Sequence, residues 1–258
     1  MINKSFCFLD GLGLKSEQNI WKQGIHDWKT FIETKSINGM AQNRKAIHNL
    51  TLKKAERNLL VNNIEFFKTI FPTQEHWRLY DRFQDEALYL DIETSGYNHD
   101  ITVIGMYDGN KTMTMVKGQN LDKGLLLDTL QKYKLLLTFN GSSFDLPAIQ
   151  RYFNININMP HIDLRHVCSK IGLNGGLKNI EKEIGIQRHE DIDGISGGDA
   201  ALLWRKYKAT GNRRFMELLV QYNEEDIINL EPLAKQAISQ LWNQTFKSQP
   251  YSSEIWQK

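Results

Sequence analysis

The chain has 258 residues, 41% hydrophobic and 24% charged, with a formal net charge of +2. That is ordinary globular composition and excludes a polycation. No run of about 18 apolar residues is present, which excludes a membrane-spanning helix, and Cys7 and Cys168 match no metal-ligand or redox spacing. The opening "MINKSFCFLDGLG" carries no signal-peptide h-region, so a soluble, cytoplasmic protein without membrane contact is expected. Charge is unevenly placed: residues 1–80 hold 12 Lys/Arg against 7 Asp/Glu, and the remainder 20 against 23.

Residues 1–84 read as an all-helical region. Residues 16–25 form a helix with Ser16 as its cap, and "HDWKTFIE" follows with Asp27 as a cap. A longer helical region covers 43–71 up to Pro72, and one more helix covers 73–86. The texture then changes. Runs 87–94, 101–108 and 111–117 read as strands, with "YDGNK" as a hairpin turn between the last two. Residues 121–133 are helical and 134–141 form an apolar strand. Residues 143–153 open a helix that tolerates Pro147 in its first turn. Residues 161–168 are a strand or a short connector, and 175–185 a short helix with glycine at both edges. A long helical region covers 212–242, with a break expected near Pro232. The sum is a mixed α/β domain over 85–258 whose strand order the pattern does not dictate.

Two carboxylates interrupt the first strand, Asp91 and Glu93 in "LYLDIETSG". Burying an acid is costly unless it is paired or bound to a metal. Asp145 follows the apolar strand at the start of a helix, and Asp226 lies four residues after Tyr222, on the same helical face. Each has a plain reading alone. D-x-E is common on strands, Asp145 suits a helix cap, and Asp226 suits a solvated face beside Glu224 and Glu225.

In this order and context the acids resemble the DEDD superfamily of 3′–5′ exonucleases, which have a ribonuclease-H-like fold. Asp91 and Glu93 match the D-x-E motif; Asn140, Phe144 and Asp145 match the second motif; Tyr222 and Asp226 match the Y-x-x-x-D of the tyrosine (DEDDy) subclass. "GGLKNIEKEIGIQR", "DIDG" and "YNEEDIINLEPL" are similar to the YprB-like branch. The resemblance covers roughly residues 85–235. It implies a mixed sheet flanked by helices and hydrolysis of nucleic-acid phosphodiesters with two Mg²⁺ or Mn²⁺ ions, for which oxygen ligands are suited. Asp91 then bridges both ions, Glu93 and Asp226 complete one site, and Asp145 serves the other. Tyr222 orients the attacking water. Substrate contacts are expected at Thr94, Asn140, Phe144 and Lys178, with Asn140 equally suited to cap the strand-end turn.

The implied substrate is DNA or RNA, as a single strand or a 3′ end. A structure-selective endonuclease is the alternative enzyme, and a catalytically silent nucleic-acid-binding module the alternative from another class. Residues 9–25 also resemble a helix-hairpin-helix turn, in which Gly11, Gly13 and Lys15 meet a phosphate at a helix N-terminus. The other reading is a helical cap that only packs. Arg44, Lys45, Lys53, Lys54 and Arg57 either track phosphates or form a solvated face.

Overall fold

A computed structural model describes residues 1–96, 100–189 and 197–247. The "DIDG" stretch, 191–194, lies outside the described residues. The chain divides into two compact units, Met1–Arg82 with the part from Ser239 onward, and Phe83–Ile238.

The N-terminal unit contains α1 (Leu14–Lys22), α2 (Trp28–Glu33), α3 (Gln42–Leu60), α4 (Ile64–Ile70), a 3-10 segment Thr73–Leu79 and the start of α5 (Tyr80–Phe83). Its core gathers Phe6, Trp21, Trp28, Phe31 and Phe67. Asp27 caps α2 as expected, accepting from the Thr30 amide at 2.7 Å. Ser16 is not a cap, because α1 already starts at Leu14 with Gly13 as its N-cap. The expected 43–71 helix breaks at Asn62, which takes a left-handed φ of 51°. Asn tolerates that conformation better than most residues, and Asn63 then caps α4 through the Phe66 amide. Residues 73–86 form mainly 3-10 turns in place of one helix.

The second unit is built on a five-stranded sheet in the order β3-β2-β1-β4-β5. The strands are β1 (Ala87–Thr94), β2 (Ile101–Tyr107), β3 (Thr112–Val116), β4 (Leu135–Thr138) and β5 (His161–Asp163). The β1–β2 and β2–β3 pairs are antiparallel, and β1–β4 and β4–β5 are parallel. One face packs on α6 (Lys123–Leu130) and α7 (Asp145–Phe153), with Leu88, Leu90, Ile92, Ile104 and Met106 pointing into that core. The other face packs on α10 (Gly197–Thr210) and α11 (Arg213–Lys247), with Val103, Trp204 and Tyr222 in its core. The connecting helices α8 (Leu164–Lys170) and α9 (Leu177–Ile184) follow α7 in this unit. This is the expected mixed sheet flanked by helices.

Side chains alternate across a strand. Leu88, Leu90 and Ile92 face α6 and α7, so Asp91 and Glu93 turn to the side of α11. The sequence pattern gave no expectation for α10. The expected break in the last helix does not occur: α11 continues through Pro232. Proline there cannot donate to the carbonyl of residue 228. Among the described residues no helix is long and apolar enough to cross a membrane.

Candidate active site

Asp91, Glu93 and Asp226 each offer an oxygen to one cluster, and these atoms lie within 4.8 Å of one another. Glu93 and Asp226 are buried, while Asp91 keeps some contact with solvent. The two strand acids share a face by the period of two, and a register shift between Glu93 and Thr94 marks a bulge where the strand ends. α11 supplies the third acid.

Asp91 is held from behind. Asn223 on α11 donates from Nδ2 to Asp91 Oδ2 at 2.8 Å. Room for Asn223 comes from Gly105, which sits opposite Asp91 in the β1–β2 register. A Cβ at position 105 would lie 2.0 Å from Asn223 Oδ1. Glycine inside a strand often marks such a close approach. Gly105 in "ITVIGMY" was therefore a readable signal in the sequence, although it does not name its partner.

Asp145 adjoins the cluster without joining the three. It is the first residue of α7, yet it does not cap that helix; Oδ1 accepts the Ile92 amide at 3.0 Å. The β1–β4 ladder ends at Tyr89–Leu137, and beyond it this bond ties α7 to β1.

Negative charge is in excess here. Burial pushes the Asp91 carboxyl well up, and Asp145, Asp226 and Glu93 push it further. Glu93 is raised by burial, then by Asp226 and Asp145, with Lys178 opposing. Burial raises Asp145 to about 7, against the lowering effect of its backbone hydrogen bonds. Asp226 is also raised by burial although Arg188 pulls it down. Arg188 Nη2 donates to Asp226 Oδ1 at 2.5 Å, and its Nε and Nη2 also meet Glu181 at 2.6 and 2.8 Å. Sequence reasoning missed both Arg188 and Glu181. Oxygen-only donors with surplus negative charge fit a hard divalent cation such as Mg²⁺ or Mn²⁺.

A family model described as RNase_H superfamily matches residues 88–238, more than half of the chain. The chain belongs to the RNase H superfamily. The superfamily segment takes in the sheet from Leu88 onward and most of α11, and so all four acids. No curated protein matches the chain significantly. Among solved structures, it is similar to Escherichia coli RNase D, an exoribonuclease involved in structured RNA processing, at 16% identity and a TM-score of 0.45. That match covers 68% of this chain, which spans 46% of the RNase D chain.

Within this superfamily segment, Tyr222 lies on α11 one turn before Asp226. Burial raises its phenol, and Asp226, Glu93 and Asp91 raise it further, so the hydroxyl stays protonated. Lys178 on α9 places its ammonium 4.6 Å from the centre of the Tyr222 ring, within cation–π range. Thr94, the last residue of β1, is half-buried. Phe144 is 36% exposed and precedes α7.

Asn140 takes a left-handed φ of 66° in the loop after β4. Its amide nitrogen donates to Asp163 Oδ1 at 2.8 Å and its Oδ1 accepts from Arg165 at 2.7 Å. Asp163 also accepts from the Ser142 amide at 3.1 Å and the Ser142 hydroxyl at 2.5 Å. The loop leading to Asp145 is thereby pinned to the end of β5. His161 Nε2 meets Thr138 Oγ1 at 2.8 Å, a structural role.

Outside the superfamily segment, Gly11 is left-handed at a φ of 62° and Lys15 is exposed on α1. The helix begins at Leu14 after Gly13, and the described helical element before it is the single 3-10 turn Ile2–Lys4. Arg44 closes over this turn, donating from Nη2 to the Asp10 carbonyl at 2.9 Å. Lys45 fits neither a phosphate-tracking nor a solvated face. It is buried, with Nζ 3.3 Å from Asn49 Oδ1.

Proposed function

We propose that the chain is a metal-dependent 3′–5′ exonuclease of the DEDD type, in its tyrosine subclass and YprB-like branch, acting on DNA or RNA as a single strand or at a 3′ end. The observation that carries the reading is the convergence of Asp91, Glu93 and Asp226 within 4.8 Å, with Asp145 alongside. Two Mg²⁺ or Mn²⁺ ions held by these four acids would supply an activated water and neutralise charge on the leaving oxygen.

The chain's own groups do the rest. The protonated Tyr222 hydroxyl orients the attacking water, because a phenol raised this far cannot serve as a ready base. Lys178 brings positive charge to the mouth of the site for a phosphate. The exposed Phe144 ring offers a face for the terminal base, since base–aromatic stacking tolerates any sequence. Thr94 at the end of β1 and Asn140 in the loop after β4 contact the nucleotide. In the N-terminal unit, Gly11, Gly13 and Lys15 contact the backbone of the substrate.

The test is time-resolved sizing of labelled DNA and RNA strands with Mg²⁺ or Mn²⁺. A 5′ label should yield a ladder that shortens steadily from the 3′ end, and Asp91→Asn should abolish it. Discrete internal fragments would establish the endonuclease instead, and retention without cleavage would establish a binding module.

A further inference from the structure

We propose that the Glu181–Arg188 ion pair is the positioning device of the metal site, aiming the Asp226 carboxylate at Asp91 and Glu93. The proposal rests on the metal-dependent reading above.

Both partners are withdrawn from solvent: the Arg188 side chain is 3% exposed and that of Glu181 1%. The pair is set by a local turn. Glu181 lies on α9, which stops at Gly185 with a left-handed φ of 82°. The Ile186 amide then donates back to the Glu181 carbonyl at 2.8 Å. Glycine is favoured at this position because a Cβ is strained there. The chain reverses and returns Arg188 alongside Glu181, seven residues earlier. Glu181 grips the guanidinium with both oxygens, at 2.6 and 2.8 Å. Arg188 Nη2 then has a fixed direction, and it points at Asp226 Oδ1.

The pairing explains why a cation can sit beside a metal ligand. An unpaired guanidinium would repel an incoming divalent ion. Glu181 offsets that charge and leaves the directed N–H. A planar fork can bridge two carboxylates in this way, whereas an ammonium is a point charge. The neighbouring acids have outer donors too: Asp91 accepts from Asn223 and Asp145 from the Ile92 amide. Metal-ligating carboxylates are typically oriented by such outer donors, and losing one costs roughly 10- to 100-fold in affinity or activity.

The experiment measures Mn²⁺ affinity of the full chain by electron paramagnetic resonance of the unbound ion. Wild type is compared with Arg188→Lys and with the double variant Glu181→Gln/Arg188→Met, which removes both charges and leaves neither buried alone. Circular dichroism checks the fold. The double variant should bind Mn²⁺ roughly 10- to 100-fold more weakly, and Arg188→Lys should be weakened less. Unchanged affinity in a folded double variant would reduce the pair to a brace for α9 and overturn the proposal. Tighter binding would make the guanidinium a competitor of the metal and overturn it too. If the double variant does not fold, wild-type affinity in Arg188→Lys overturns the proposal in the same way. Failure of wild type itself to bind Mn²⁺ would instead sink the metal-dependent reading, and the proposal with it.

Discussion

Each unit buries an arginine between two carboxylates, with opposite results. In the N-terminal unit Arg78 meets both oxygens of Glu17 at 2.9 Å and reaches Glu75 at 2.7 Å. Glu17 Oε1 also accepts from the amides of Phe6 and Cys7, and Ser5 accepts from Arg78. Both carboxylates there are bonded directly to Arg78, and no cluster of three acids forms around it among the described residues. In the second unit Arg188 likewise spans Glu181 and Asp226. Asp226, however, also faces Asp91 and Glu93, which add negative charge that this arginine does not answer. Buried acids that each bond a cation directly hold a fold together. Buried charge left in excess makes a site that favours a cation or protons.

That contrast can be broken first at Arg78. Arg78→Met leaves Glu17 buried without its partner, and losing one member of a buried pair costs roughly 3–5 kcal/mol. Urea unfolding should show this loss, while nuclease activity per folded molecule stays near wild type. Asp91→Asn and Asp226→Asn should do the reverse. Cleavage should fall by more than the roughly 100-fold that bounds an outer-partner loss, and for Asp91→Asn, which breaks no ion pair, melting in EDTA should be unchanged or higher because a repelling charge is gone.

The supports of the site should give intermediate effects. Asn223→Ala leaves Asp91 without its donor and should lower the Mn²⁺-dependent rate roughly 10- to 100-fold. Gly105→Ala, which pushes Asn223 out of place, should act in the same direction. Wild-type rates in both variants would show that Asp91 needs no outer support.

A pH test sharpens the contrast further. Asp145 is raised from the usual 3.8 to about 7 in the folded protein. Across that window the folded state holds a proton that the unfolded chain has released, so stability of the metal-free protein falls as pH rises. Unfolding in EDTA at pH 5 and pH 8 should show a smaller difference for Asp145→Asn than for wild type. Equal differences would remove Asp145 from the coupled acids. The smallest effect belongs to an ordinary buttress: Asp27→Ala loses the α2 cap and should cost about 1 kcal/mol by urea unfolding, with no change in cleavage.

The local features were legible from the residues alone. An apolar run marks β1, the period of two in a strand sets Asp91 and Glu93 on one face, and four-residue spacing puts Tyr222 and Asp226 on one side of α11. Asp27 announces its cap in the same way. These relations span a few residues, so backbone geometry suffices to establish them. What the pattern could not supply is long-range. The Asn223–Asp91 bond joins residues 132 apart, and Arg188–Asp226 joins residues 38 apart. The strand order, the continuity of α11 through Pro232 and the role of Gly105 likewise depend on what packs against each element. Spacing along the chain carries the direction of a side chain, and only the packed fold decides which distant group it meets.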